Sequence, residues 1–461
     1  MTIYTPNLPP DAQPRGPGQH RRLGRVLDRI LDAYGQVQAN TPADKALKNV
    51  FARSRDLGSK ERAQVGDALF GILRGQRRLL DALQRAAKAE RRDFDLLDTP
   101  VKHRMLVLAW MASEGATLED LEAVDRYALK RLPKVFERIV QGKLPPLKKR
   151  APIEHLAVDL SLPSWLAQRL VDAFGEEQTR ELAAAMEHRA PVTLRVDPRK
   201  MSRDEALAKI QAEHEPEAKA TLLSPWGITL PRSKDLSSWA LFKDGVVDLQ
   251  DEGSQLIALA TGLAPGEAVL DACAGAGGKS LAMWSMGGGQ AKLTALDPDK
   301  RKLAELKRRA DRVDARISTE ATELETLPEH LRARFDVVLV DAPCTGTGTL
   351  RRAPDLVWRL SEADLERDVA RQKRLLTSAL AAVKPGGRLI YATCSILREE
   401  DEDQARYLLE NEPKVTPLPL SALWGEALSE KLAATHEARI GPGPQARGPD
   451  GFYVAAFRKS S

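Results

Sequence analysis

Apolar positions recur at intervals of three and four through the first third of the chain. In the last third they gather into short unbroken runs. Leu23, Val26, Leu27, Ile30, Leu31 and Tyr34 fall on one helical face. Val65, Leu69, Ile72, Leu73, Leu80 and Leu83 draw a second stripe, and residues 101–112 and 118–131 give two more. Thr41-Pro42-Ala43-Asp44 has the form of a helix start, with threonine as cap and proline at the first helical position. Residues 21–142 are therefore expected to form an all-helical domain. Residues 1–20, with five prolines, two glycines and no periodicity, are expected to be disordered.

The stretch 142–152 is rich in proline and basic residues and reads as a linker. A helix is predicted over 163–174, with Gly175 closing it. Then the period changes. Residues 192–196 alternate as a strand, Ser202-Arg-Asp-Glu205 is a capping box, and 220–230 read as strands. Residues 153–248 thus form a small helical and α+β subdomain. From 249 to 461 the pattern is strand, glycine turn, helix, repeated. Strands are predicted at 268–271, 293–296, 316–318, 337–340 and 388–392, with an edge strand at 452–457. Helices are predicted at 281–286, 300–309 and 363–383. This alternation gives the fold class: α/β, with a Rossmann-like, doubly wound parallel sheet.

Composition narrows the picture. Hydrophobic residues at 43% and charged residues at 29% are ordinary for a soluble globular protein. No apolar run reaches membrane-spanning length and no signal sequence opens the chain, so a cytoplasmic protein away from membranes is expected. The net charge of +5 hides an asymmetry, because residues 1–150 hold 29 Lys and Arg against 18 Asp and Glu. A basic module points to a polyanionic partner, the alternative being a solvated face with none. The three cysteines, Cys273, Cys344 and Cys394, make no disulfide framework. With no CxxC, no HExxH and scattered histidines, no metal site is expected.

Ligands of doubly wound sheets sit outside the carboxyl ends of the strands. Four stretches deliver chemistry to that edge. Asp271-Ala-Cys273-Ala274-Gly275-Ala276-Gly277-Gly278-Lys279 is a glycine turn opening a helix, where backbone amides can face a ligand. Asp297 ends the next strand and suits ribose hydroxyls; its alternative is to cap the helix near Asp299. Asp341-Ala-Pro-Cys344 follows a buried strand and leads into a loop with two glycines. Thr393-Cys394-Ser395 ends another strand, followed by Arg398-Glu-Glu-Asp-Glu402. Neighbouring strands would set Cys344 and Cys394 around one crevice, although free cysteines are otherwise usually core residues.

Together, DACAGAGGKS, ALDPD, DAPCTGTGTLRRAPDLVW, KPGGRLIYATCS and PDGFYVAAF resemble the Sun (RsmB-type) family of RNA 5-methylcytosine methyltransferases. The likeness covers roughly 150–458. The segment from Leu57 to Arg74 also resembles the NusB-like helical domain of the ribosomal branch. The resemblance implies S-adenosylmethionine as cofactor, held by residues 273–279, Asp297, Glu320 and Asp341. It implies Cys394 as nucleophile, Cys344 in product release and Asp341 beside the base. It implies RNA as partner, 16S rRNA first and tRNA second, bound by the basic helical domain, and a monomer. Two departures stand out. Ala276 replaces a usual proline, and Glu320-Ala321 is the nearest match to the Asp-Ala that the family often carries after the third strand, near the adenine.

The chemistry agrees with these residues. Carbon 5 of cytosine is a poor nucleophile until a thiolate adds to carbon 6. DNA cytosine methyltransferases carry their nucleophile in a Pro-Cys motif, so two thiols favour the RNA branch. A non-catalytic RNA-binding assembly factor is the competing class, and the intact Cys394, Cys344, Asp341 and Asp297 argue against it. An amino methyltransferase would carry an Asn/Asp-Pro-Pro-Tyr loop where this chain has Asp-Ala-Pro-Cys.

Overall fold

The computed structural model describes residues 24, 26–146, 151–231, 235–443 and 448–461. The disorder expected over 1–20 lies outside these residues. The chain divides into two compact units: one runs through His188 and includes Leu350–Leu360, and the other joins Arg189–Thr349 to Ser361–Ser461.

The first unit is helical: α1 (Leu27–Gln38), α2 (Ala43–Arg53), α3 (Ser59–Ala89), α4 (Thr99–Ser113), α5 (Leu118–Arg131), α6 (Pro133–Val140), α7 (Pro152–Asp159) and α8 (Ser164–Glu187). The three-and-four stripes do face its core: Ile30, Leu69, Ile72, Leu73 and Leu83 are fully buried. Helices α7 and α8 are tied to α3 by Arg77, whose guanidinium reaches Glu154 at 2.6 Å, Ser164 at 2.9 Å and the Leu162 carbonyl at 2.5 Å. Gly175, at φ +78°, ends one run of α8, but a second run starts at once. Likewise α5 breaks at Asp125, whose carboxylate takes the Ala128 amide at 3.0 Å and Arg104 at 2.7 Å.

The start of α2 departs from expectation. Pro42 occupies the cap position and Thr41 makes no side-chain cap. The free Ala43 amide instead donates to Asp355 at 3.3 Å, from a segment 312 residues away. That segment, Leu350–Leu360, is built into the helical unit. The Trp358 indole N–H donates to the Leu73 carbonyl at 2.8 Å, and Arg74 donates to the Arg351 carbonyl at 2.9 Å. Leu350, Pro354 and Val357 line a small cavity with Leu73, Leu170 and Met186.

The second unit holds two sheets. The smaller is antiparallel: β1 (Val192–Val196), β2 (Lys219–Ala220), β3 (Gly227–Leu230) and β4 (Val247–Leu249), in the order β2-β3-β1-β4. Ser202 and Glu205 form the expected reciprocal cap of the helix Arg203–Glu213.

The larger sheet comprises β5 (Ala268–Asp271), β6 (Lys292–Leu296), β7 (Ile317–Glu320), β8 (Phe335–Asp341), β9 (Val383–Thr393), β10 (Val415–Pro417), β11 (Glu437–Ile440) and β12 (Phe452–Lys459). Strands β9-β8-β5-β6-β7 are parallel. The order reverses between β5 and β8, which makes the crevice beyond Asp271 and Asp341 the topological switch point. The strand over 452–457 is not an edge. It pairs antiparallel with β9 on one side and with β10 and β11 on the other, so Tyr453 to Phe457 are wholly buried. Its two covering strands are too short and polar to show as periodic runs.

Candidate active site

Four loops at the carboxyl ends of β5, β6, β8 and β9 converge at the switch point. The loop after β5 is the glycine turn. Gly275 at φ +55° and Gly277 at φ +82° need left-handed backbone, and a Cβ on Gly277 would meet Leu306 at 2.4 Å. Nothing lies within 4 Å of a Cβ built on Gly275, and only Gln250 Nε2, at 3.9 Å, near one on Gly278. A ligand can therefore approach this backbone and the N-terminus of the helix Gly278–Met286. The turn lacks the rigidity of a proline at Ala276. Arg309 supplies another restraint, donating to the Ala276 carbonyl at 2.8 Å while paired with Asp248 of β4 at 2.7 Å.

Asp297 is buried after β6. One carboxylate oxygen accepts the Gly275 amide at 3.0 Å, and the other accepts the Asp299 amide at 2.8 Å. Asp299, not Asp297, caps the helix Lys300–Arg312. Glu320 ends β7 half-exposed, 3.1 Å from His330 Nε2, a partner outside the sequence motifs. Asp271 is buried beneath the turn and accepts the Ser280 hydroxyl at 2.6 Å. Burial pushes its pKa up to about 6, with Ser280 opposing. Cys273 is half-buried, and burial pushes its thiol up.

The loops after β8 and β9 bring the chemistry together. Register pairs Asp341 with Ala392, and the Cys344 and Cys394 sulfurs lie 3.4 Å apart, both half-buried. The hydrogen bond to Cys394, with burial second, holds the Cys344 thiol well above the ordinary cysteine value. Beside them Lys279 donates to Asp341 at 2.6 Å and sits 5.8 Å over the Phe452 ring. Burial works against the Lys279 charge, but Asp341, helped by Cys394 and Asp271, offsets this and its pKa is raised.

A family model described as 16S rRNA methyltransferase RsmB/F matches residues 258–458. A second, its ferredoxin-like domain, matches 162–237. The ribosomal RNA small subunit methyltransferase B of Pseudomonas putida is 30% identical, over 94% of this chain and 97% of that protein. The chain belongs to the RsmB/F methyltransferase family. The corresponding Xanthomonas campestris protein is also 30% identical, over 93% of this chain and 99% of its own. Among solved structures, PH0851 shares the fold with a TM-score of 0.73 at 23% identity, covering 95% of this chain and 99% of that one. A methyltransferase homologue from Pyrococcus horikoshii superposes with a TM-score of 0.57 at 26% identity, over 67% of this chain and all of that one.

In this RsmB/F chain the sequence-predicted residues 273–279, Asp297, Asp341, Cys344 and Cys394 gather at one sheet edge, with Glu320 farther out on β7. Arg309, Asp248, Gln372 and Glu400 hold the loops and lie outside the predicted set. Acidic character after Cys394 is visible in the sequence, but nothing there separates the buried Glu400 from the half-buried Glu399. Among the described residues no His/Cys/Asp/Glu group could hold a metal ion, and no helix is long and apolar enough to cross a membrane.

Proposed function

We propose that the chain methylates carbon 5 of a cytosine in 16S rRNA through a covalent bond from Cys394 to carbon 6. The observation that carries this reading is the pair of sulfurs, 3.4 Å apart, at the ends of adjacent parallel strands. S-adenosylmethionine supplies the electrophilic methyl group. The open backbone at Gly275 and Gly278 and the carboxylate of Asp297 suit it. On this reading residues 273–279 and Asp297 hold the cofactor, with Asp341 beside it and Glu320 farther along the edge.

The two thiols take different parts. Cys394 adds to carbon 6 as thiolate, making carbon 5 electron-rich. After methylation a base of the site, the Asp341 carboxylate or a water, takes the carbon-5 proton. The C–H electron pair closes the C5=C6 bond and Cys394 leaves as thiolate. Cys344 keeps its proton and faces the departing sulfur, so its S–H stabilises that charge. The excess of Lys and Arg over residues 1–150 fits a NusB-like helical domain that contacts RNA phosphates. The target cytosine must be single-stranded or flipped to reach the crevice.

Bisulfite sequencing of 16S rRNA and tRNA from a strain lacking the protein tests the substrate. One 16S rRNA cytosine should lose its protection and tRNA positions should be unchanged; a lost tRNA mark with intact 16S rRNA would reassign it. For the cofactor, Asp297→Ala should weaken S-adenosylmethionine binding by about 1.5–3 kcal/mol, the range of a charge-assisted hydrogen bond. The same change frees the Gly275 amide, so the turn itself should loosen. Unchanged affinity by titration calorimetry would remove Asp297 from the cofactor site.

A further inference from the structure

We infer that Glu400 is a positioning residue that fixes the Cys344 sulfur against Cys394 and so sets the rate of product release. The inference rests on the proposed part of Cys344. Glu400 is completely buried, and among the described residues its carboxylate has no cationic partner. A buried carboxylate without a cation is costly unless its hydrogen bonds are met. Here they are met by Thr345, next to Cys344, and by Gln372 of the helix Glu362–Ala382. One oxygen accepts the Thr345 amide at 2.8 Å and Gln372 Nε2 at 3.0 Å, and the other accepts the Thr345 hydroxyl at 2.5 Å. Gln372 also donates to the Pro343 carbonyl at 3.0 Å. The residues on both sides of Cys344 are therefore pinned to one carboxylate–amide pair.

The same group is joined to the Cys394 side. The Thr345 hydroxyl lies 3.3 Å from that of Thr347, which lies 3.1 Å from Ser395 and accepts the Ile396 amide at 3.2 Å. The Gly348 amide donates to the Cys394 carbonyl at 2.9 Å. Tyr391 of β9 donates to the Glu400 carbonyl at 2.6 Å, holding that residue to the strand that ends at Cys394. Both thiol-bearing loops are thus referenced to Glu400, which touches neither sulfur by a hydrogen bond. Loss of its charge would let the Cys344 loop drift while leaving the glycine turn, Lys279 and Asp341 in place.

The test compares full-length wild type, Glu400→Gln, Thr345→Val, Thr345→Ser and Cys344→Ala with S-adenosylmethionine and a 16S rRNA transcript. Single-turnover methylation, multiple turnover, denaturation-resistant adduct and melting temperature are measured. Glu400→Gln and Thr345→Val should keep the first turnover within about threefold, lower multiple turnover by about tenfold or more, and accumulate adduct. Thr345→Ser, which restores the hydroxyl, should release product as wild type does. Wild-type turnover without adduct in both Glu400→Gln and Thr345→Val would overturn the assignment. So would a lost first turnover with lowered melting temperature and no adduct, which marks a merely structural group. If Cys344→Ala accumulates adduct and Glu400→Gln does not, the positioning role alone fails. If Cys344→Ala makes none, the release reading fails and takes the inference with it.

Discussion

Cys394→Ala should abolish both methylation and the denaturation-resistant protein–RNA adduct, whereas Cys344→Ala should methylate and then remain attached to its product. The two sulfurs are near enough to exchange a hydrogen bond, so position alone does not separate them. Their surroundings do. The Cys344 loop is anchored to Glu400 through both the amide and the hydroxyl of Thr345, which suits a fixed partner to the attacking sulfur. Removing a nucleophile costs at least about 10⁴-fold in turnover, because no other group supplies the covalent step. Removing the group that eases departure leaves attack and transfer intact and strands the adduct. A denaturing gel of each variant with cofactor and target RNA reads both results. Adduct from Cys394→Ala and none from Cys344→Ala would exchange the roles, and normal methylation by both would make the cysteines structural.

Gly348→Ala should destabilise the second unit by about 2–4 kcal/mol, although the change adds one methyl group. The new Cβ would lie 2.0 Å from the Gly451 carbonyl oxygen and 2.9 Å from the Cys394 carbonyl oxygen. All of these are backbone atoms, so no side chain can swing aside. The Gly348 amide bonds Cys394 and its carbonyl accepts the Gly451 amide at 2.8 Å, which keeps the three segments together. Gly441→Ala is the matched control, since nothing lies within 4 Å of its Cβ. Urea unfolding of both should show a lowered midpoint for Gly348→Ala only. Equal midpoints would mean that the three segments separate at little cost.

The parallel sheet is legible in the sequence because its central strands β5, β8 and the end of β9 are apolar runs closed by an acid or followed by a thiol, whereas β7, Ile-Ser-Thr-Glu, shows mainly by its place in the alternation. Residue type at the strand ends then places Asp271, Asp341 and Cys394 on one edge, and the fold does the rest. What escapes is long-range and has no period. Glu400 meets Thr345 across 55 residues and Arg309 meets Asp248 across 61. Neither partner is marked by spacing. Asp297 shows the limit of reading one residue for one role, because its carboxylate also accepts the amide of Gly275 in the glycine turn. Contiguous domain boundaries mislead for the same reason. Trp358 belongs by sequence to the loop after Cys344, and by packing to the helices that open the chain.

That placement of Leu350–Leu360 bears on biosynthesis. A chain emerging from the ribosome presents α1 to α8 long before it presents the segment that completes them. The gap is roughly 160 residues, which at about 5–20 residues per second is a delay of about 8–32 s. For that interval the Leu73 carbonyl lacks its indole donor, the Ala43 amide lacks Asp355, and Leu73, Leu170 and Met186 lack the cover of Val357 and Pro354. The amino-terminal helices are thus made early and finished late, and a nascent chain stalled before residue 350 carries an open apolar seam for a chaperone to find.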